Sequence, residues 1–291
     1  MESVRSRRWL RISGFLNFWR VFRKNPLGLI GVVILACFLF IAIFCPVLSP
    51  YDPEATVGEI AAPSSPANIF GTDQLGRDNF SRVLYGTRIS LILGITAAAI
   101  AVFIGTTIGV ASGYFGKGSG EILMRFTDMF LVLPQLALMI ILAAVLGRSI
   151  YIIMMVVGVT VWPLMARIVR SEVLSLKQRP FVERAVSIGC GDFHIVLKHI
   201  LPNVLPLITA NAILTIPWAI ISESTLSFIG LGDPTVVSWG SILTSAFKNS
   251  AIMLGLWHWF IPPGLAIVLL CVSFALIGHV ADEVLNPRLR R

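Results

Sequence analysis

Six long apolar runs constrain this chain more than anything else in it. They cover residues 27–48, 90–112, 126–146, 150–167, 205–229 and 259–280. A bilayer core about 30 Å thick takes about 20 apolar residues per helix, and only helices or closed barrels satisfy their own backbone there. Composition agrees, since 56% of residues are hydrophobic and 13% charged, far from the balance of a soluble domain. The expected fold is an all-α integral membrane protein with six transmembrane helices. The fourth run is the most crowded, with Trp162, Pro163 and Arg167 at its end.

Charge placement then orients the bundle. Arg5, Arg7, Arg8, Arg11, Arg20, Arg23 and Lys24 precede the first run, and Arg288, Arg290 and Arg291 end the chain. Between the fourth and fifth runs lie Arg167, Arg170, Lys177, Arg179, Arg184 and Lys198. With Lys117 and Arg125 these fall on one side, against Arg77, Arg82, Arg88, Arg148 and Lys248 on the other. The positive-inside rule predicts a cytoplasmic N-terminus and C-terminus and a cytoplasmic 181–203 segment. The net charge of +8 follows from this asymmetry, so it implies a basic rim facing phospholipid and no nucleic-acid partner.

The expected organisation runs as follows. Residues 1–26 form a cytoplasmic tail with an amphipathic interfacial helix, and 27–48 the first transmembrane helix. Residues 49–87 are extracytoplasmic, 88–281 a core of five helices, and 282–291 a basic cytoplasmic tail. In the first tail Phe15, Phe18, Trp19 and Phe22 recur at i, i+3, i+4 and i+7 among Arg20, Arg23 and Lys24, which suits a helix lying in the headgroup plane. The run from Leu27 exceeds the apolar core of a secretory signal, and no small-x-small cleavage site follows, so it reads as a retained helix.

Little in the chain points to catalysis. Cys37, Cys45 and Cys271 lie in apolar runs and Cys190 stands alone, with no C-x-x-C and no His–Cys cluster at metal-ligand spacing. His194, His199, His258 and His279 pair with no recognisable nucleophile. The nearest approach to a P-loop, GYFGKGSG at residues 113–120, lacks both the spacing and the Ser/Thr. No chain of intramembrane acids offers a proton relay. The protein is therefore expected to be no enzyme and to bind no cofactor or metal. A passive pore remains, or a subunit driven by a separate motor.

A few polar features inside or beside the runs stand out. Residues 70–78, FGTDQLGRD, are dense in turn formers. Turn chemistry, with Asp73 and Asp78 capping or pairing with Arg77 and Arg82, is favoured there over a carboxylate ion site. Arg125 and Asp128 lie three apart and can face each other on one helix side, as a structural pair. Glu223 stands near the end of the fifth run and either lines a pathway or pins the re-entrant turn announced by Gly230, Gly232 and Pro234. Proline at 134, 163, 206, 217, 262 and 263 predicts kinks, and kinked helices with freed carbonyls commonly line a cavity.

Residues 181–203, FVERAVSIGCGDFHIVLKHILPN, form a charged interruption between two runs. Two helix-forming pieces flank Gly189 and Gly191. In the second, Phe193, Val196, Leu197, Ile200 and Leu201 follow helical spacing and predict one apolar stripe, with Asp192, Lys198 and His199 outside it. A short amphipathic helix on the cytoplasmic side of a membrane protein offers a partner something to hold.

The spacing of this segment resembles the EAA loop of type I ABC importer permeases, E-A-A-x3-G-x9-I-x-L-P. Glu183 and Ala185 match, Gly189 follows at the required distance, and Leu201-Pro202 close the pattern. Arg184 stands in place of the second residue, alanine, and His199 in place of isoleucine. Further motifs resemble the C-type permeases of bacterial dipeptide, oligopeptide and nickel importers: the lead-in at residues 19–26, YDP at 51–53, GTDQLGRD at 71–78, LYG at 84–86, HILPN at 199–203, E-x-x-L-S-F-x-G-L-G at 223–232 and SWG at 238–240. The resemblance runs over nearly the whole chain.

It implies a permease subunit forming half of a translocation pathway for dipeptides or oligopeptides, with nickel or another small solute as the alternative cargo. A stand-alone secondary transporter is the alternative from another class. The implied partners are a homologous second permease, two ABC ATPase domains, an extracytoplasmic substrate-binding protein and the lipid bilayer, with ATP and Mg on the ATPase. The implied coupling residues are Glu183, Ala185, Gly189, Asp192, His199, Leu201, Pro202 and Asn203. Gly189 allows the turn between the two short helices, and Glu183 pairs with a basic residue of the ATPase. Glu223 is the candidate pathway residue, and Asp73, Arg77 and Asp78 are candidate contacts for an extracytoplasmic partner.

Overall fold

The computed structural model describes residues 22–23, 25–116 and 118–285, with residues 284 and 285 described by backbone alone. Of the aromatic repeat only Phe22 falls among them, and of the expected 282–291 tail only 282–285; the rest lies outside the described residues. Nine helices carry the described chain: α1 (Pro26–Leu48), α2 (Asn79–Phe115), α3 (Ser119–Val132), α4 (Gln135–Leu146), α5 (Ile150–Lys177), α6 (Pro180–Ser187), α7 (Asp192–Phe228), α8 (Trp239–Lys248) and α9 (Trp257–Leu285). No strand occurs among the described residues, only two isolated bridges in the connection between α1 and α2.

Five of these helices are long and apolar enough to cross a membrane, and the α3–α4 pair brings the number to six when its two bent halves are counted as one span. The 126–146 run is therefore not one straight helix. Leu133 is extended and the two halves meet at 89°. Pro134 is the cause: its ring disfavours helical backbone at the residue before it, and it has no N–H to continue the ladder. The expected kink is thus nearly a right angle.

Two helices are much longer than the bilayer requires. α2 has 37 residues, so it extends about 55 Å, and α7 is of equal length. The end of the 49–87 segment is already the first part of α2. Both helices therefore join one end of the bundle to the other.

α2 packs along α5 through Gly105, Gly109 and Gly113, which recur every four residues on one side. A Cβ at Gly109 would sit 2.7 Å from the Ala166 carbonyl oxygen. Without hydrophobic drive between helices in lipid, such close backbone approach supplies the packing. α9 lies against α7 and α1. The outer face of α1 is left bare, with Val47 82% exposed, as suits a helix whose solvent is lipid.

The α1–α2 connection folds by turn chemistry, as expected. Asp78 caps α2, accepting from the Ser81 backbone N–H at 2.8 Å and its hydroxyl at 2.7 Å. Asp73 accepts from Arg77 Nε at 2.7 Å and lies 3.4 Å from Arg82 Nη1. Arg77 also reaches Glu54 at 2.7 Å. Both aspartates are buried within the connection itself. The Arg125–Asp128 pair does not form: Asp128 bonds Arg167 on α5, bridging α3 to the next span. An interhelical guanidinium within reach replaces the local partner that helical spacing alone suggested.

At the same end of the bundle α8 turns back over α7. Gly230, at φ +91°, ends α7, and Ser238 caps α8 in a reciprocal box with Ser241. Glu223 is buried and accepts from Ser227 at 2.7 Å and Ser238 at 2.9 Å, with Ser224 at 3.3 Å. Trp239 is fully buried, donates to the Val83 carbonyl at 3.0 Å and meets Phe38 edge-on. A Cβ at Gly240 would lie 2.8 Å from Ser224 Cα. The Ser238-Trp239-Gly240 motif is thus the clasp that holds α8 down, and Glu223 is its pin.

Asp233 ties the intervening turn to α5 by accepting from the Ile150 N–H at 3.0 Å. Burial pushes this carboxyl up, but the Thr235 hydroxyl and the N–H groups of Thr235 and Ile150 outweigh it and hold the group below its usual value.

Candidate functional site

At the opposite end of the bundle residues 181–203 form a hooked projection. α6 starts at Pro180, whose fixed φ suits the first helical position, and Glu183 lies in its first turn, where the helix dipole favours a carboxylate. The helix stops in a Schellman motif. Gly189, at φ +81°, donates to the Val186 carbonyl at 2.9 Å, and Cys190 donates to the Ala185 carbonyl at 3.0 Å. Glycine occupies the left-handed position that the turn demands, and α7 starts at Asp192.

The second helical piece is not a separate helix. It runs without a break into α7 through a π-turn at Val196–Ile200. Pro202 has no N–H for the Lys198 carbonyl and its ring would press on it, and widening the preceding turn relieves that clash. Asn203 Nδ2 donates to the His199 carbonyl at 2.6 Å, satisfying a group beside the disruption.

The π-turn shifts the apolar stripe. Ile195, Ile200 and Val204 are the residues that face the core, at exposures of 1%, 0% and 0%. They pack with Val169, Val173, Val182 and Ala185. The predicted stripe therefore divides: Ile200 joins the core, whereas Phe193, Val196, Leu197 and Leu201 together line an apolar groove beside α2. Phe193 is 77% exposed.

A polar clamp fixes this hook to the spans. Tyr114, in the last turn of α2, donates its hydroxyl to Asp192 Oδ1 at 2.8 Å. Lys177, the last residue of α5, donates to the Tyr114 carbonyl at 2.6 Å and sits over its ring at 5.2 Å. The ends of α2, α5 and the start of α7 are therefore joined at one point.

The residues singled out by spacing divide into two roles. Glu183, Gly189, Asp192, Pro202 and Asn203 are exposed, and Glu183 has no ion-pair partner among the described residues. His199 is partly exposed, its ring 6.4 Å from Phe181 and 6.0 Å from His194. Ala185 is buried and Leu201 half-buried, so they pack the hook from within. Glu223, Asp73, Arg77 and Asp78 lie at the other end of the bundle. Spacing alone missed Tyr114 and Lys177, and also Val186 and Ile188, which are 57% and 79% exposed beside the Gly189 turn; Phe193, 77% exposed, lies at the mouth of the groove beside α2. An apolar tip on a polar hook is a surface shaped for a protein partner.

A second concavity lies deeper, between the broken α3–α4 span, α5 and α7. Its volume is about 590 Å³, and Pro163 and Pro217 contribute to its wall. Kinked helices thus do line a cavity here. Glu223 is not part of that wall.

The family described as binding-protein-dependent transport system inner membrane component matches residues 105–291. The N-terminal transmembrane domain of oligopeptide transport permease C matches residues 14–67. Among curated relatives, the oligopeptide transport system permease protein OppC of Bacillus subtilis (strain 168) is 36% identical over 282 residues, 95% of this chain and 92% of the relative. The dipeptide transport system permease protein DppC of the same organism is 37% identical over 275 residues, 94% of this chain and 85% of its own. The probable D,D-dipeptide transport system permease protein DdpC of Escherichia coli (strain K12) is 36% identical over 291 residues, 99% and 96% of the two chains.

Proposed function

The chain belongs to the family of binding-protein-dependent transport system inner membrane components, multi-pass proteins of the bacterial inner membrane, and on that premise we propose that it is the permease subunit of an ATP-driven peptide importer. In this reading the 181–203 hook is cytoplasmic and seats in a cleft of a separate ABC ATPase. ATP and Mg belong to that partner. A second, homologous permease completes the pathway, two ATPase domains lie beneath the pair, and an extracytoplasmic binding protein delivers the peptide.

One observation carries the coupling role. The hook is exposed and unpartnered at its tip, yet it is continuous with α7 and clamped to α2 and α5 through Tyr114, Asp192 and Lys177. A push on Phe193 or Ile188 therefore acts on three spans at once. Closure of the ATPase pair would tilt them between inward-open and outward-open arrangements by rigid-body motion. Glu183, Gly189, Asp192, His199, Pro202 and Asn203 form or shape the docking surface, while Ala185 and Leu201 hold it from inside. At the other end Asp73, Arg77 and Asp78 shape the connection that meets the extracytoplasmic partner.

Peptide as cargo rests on the likeness to oligopeptide and dipeptide permeases, with nickel as the alternative. The test is co-purification followed by reconstitution. A tagged copy in mild detergent should retain an ATPase subunit, and uptake of a labelled dipeptide should require ATP and the binding protein. Recovery without any ATPase, or gradient-driven uptake by this chain alone, would replace the importer with a secondary transporter.

A further inference from the structure

The cavity between the broken span, α5 and α7 has an uncharged wall. Among its lining residues none is ionisable; the polar groups are the side chains of Gln135, Thr160, Asn211 and Thr215 and the indole N–H of Trp218. Thr160 donates its only hydroxyl proton to the Val156 and Val157 carbonyls at 2.8 and 2.9 Å. Thr215 donates to the Asn211 carbonyl at 2.8 Å. Asn211 Nδ2 donates to the Leu207 carbonyl at 2.9 Å, which leaves its Oδ1 free to accept. Gln135, at the first position of α4, makes no side-chain hydrogen bond among the described residues. The α5 and α7 wall therefore offers acceptor oxygens, with the second Asn211 Nδ2 proton and the Trp218 indole N–H as donors, and carries no charge.

We infer that this cavity is a solute subsite that takes N–H groups through the Asn211, Thr160 and Thr215 oxygens and is indifferent to the charge of the cargo's side chains. The proposal rests on the peptide reading above and adds to it the contact surface on this subunit. The volume lies within the roughly 300–1,000 Å³ of small-molecule sites. Peptides of every sequence share N–H donors and differ in side-chain charge. A fixed charge in so apolar a wall would trap one class and exclude the other, whereas neutral acceptors bind weakly enough to release each. Asn211 also lies on the helix that begins at the hook, about 28 Å from Asp192 along α7, so the element that docks the partner also carries the subsite. The half-exposed rim formed by Trp218 and Leu164 is the open side of the cavity.

The test uses the complete importer in proteoliposomes, with saturating binding protein loaded with an acidic, a neutral or a basic labelled dipeptide. Each variant's acidic-to-basic uptake ratio is normalised to wild type, which removes the binding protein's own preference. Asn211→Asp should lower that ratio about tenfold, the effect of a new charge within a few ångströms of the cargo. Asn211→Leu should slow all three peptides by a similar factor and leave the ratio unchanged. Gln135→Glu adds the charge on the opposite wall, at a helix start where a carboxylate is tolerated, and should lower the ratio in the same direction. It decides the matter if Asn211→Asp does not assemble. A wild-type complex that imports peptides while both charge variants keep its ratio overturns the subsite. A wild-type complex that imports no peptide overturns the peptide reading instead.

Discussion

Gly189 is the position where a single substitution tests the hook most cleanly. Its φ of +81° costs an L-residue about 1–2 kcal/mol, and a Cβ there would meet nothing within 4 Å, so strain in the backbone is the whole penalty for alanine. Alanine also restricts the opened turn, which makes its loss of native conformation about fivefold. Asparagine, which visits the left-handed region more readily, should cost less. Proline forces φ near −65° and removes the N–H that bonds Val186, so the native turn cannot form. Peptide uptake per ATP hydrolysed, measured in proteoliposomes, should follow Gly ≥ Asn > Ala > Pro. Proline should abolish uptake and uncouple hydrolysis. Membrane insertion should persist in every variant, because the turn lies outside the spans. Wild-type uptake in Gly189→Pro would refute the reasoning.

Three further outcomes follow from the same geometry. Tyr114→Phe removes the bond to Asp192 and should lower uptake per ATP several-fold, at a stability cost of about 1 kcal/mol, with Asp192→Asn showing the same direction. Glu223→Gln keeps an oxygen for Ser227 and Ser238 and should leave transport and Tm near wild type, whereas Glu223→Ala should lower Tm by several degrees; loss of transport in the Gln variant would restore Glu223 as a pathway residue. The folded Asp233 carboxyl lies below its unfolded value of about 3.9, so its contribution is complete above that pH and fades as pH falls through the lower, folded value. Thermal unfolding in detergent should therefore lose Tm more steeply below pH 4 in wild type than in Asp233→Asn.

The spans were legible because length and polarity decide them almost alone. What proline would do was legible only in kind. Pro134 announced a kink, but the right angle depends on how the halves pack: both meet α5, while α3 also meets α2 and α4 meets α7. The 193–201 stripe was legible as one face, but not that the turn before Pro202 sends Ile200 to the core and leaves Phe193, Val196, Leu197 and Leu201 along a groove. Gly105, Gly109 and Gly113 displayed small-xxx-small spacing in plain sight and set the α2–α5 contact. By contrast the Tyr114–Asp192 bond joins residues 78 apart, and no local pattern announces it. At the 181–203 hook, spacing identified the turn glycine and the exposed carboxylates. It did not identify Val186 and Ile188, exposed apolar residues that lie outside the 193–201 pattern.

The central claim is that the 181–203 hook is held by a separate ATPase. A photo-crosslinking side chain placed at Phe193, 77% exposed on the hook, tests it directly when the full complex is irradiated with and without ATP. The account predicts an adduct with an ATPase chain whose yield changes on ATP binding, and no such adduct from the same probe at Met253, 90% exposed at the far end. A transporting complex in which Phe193 yields no ATPase adduct would contradict it.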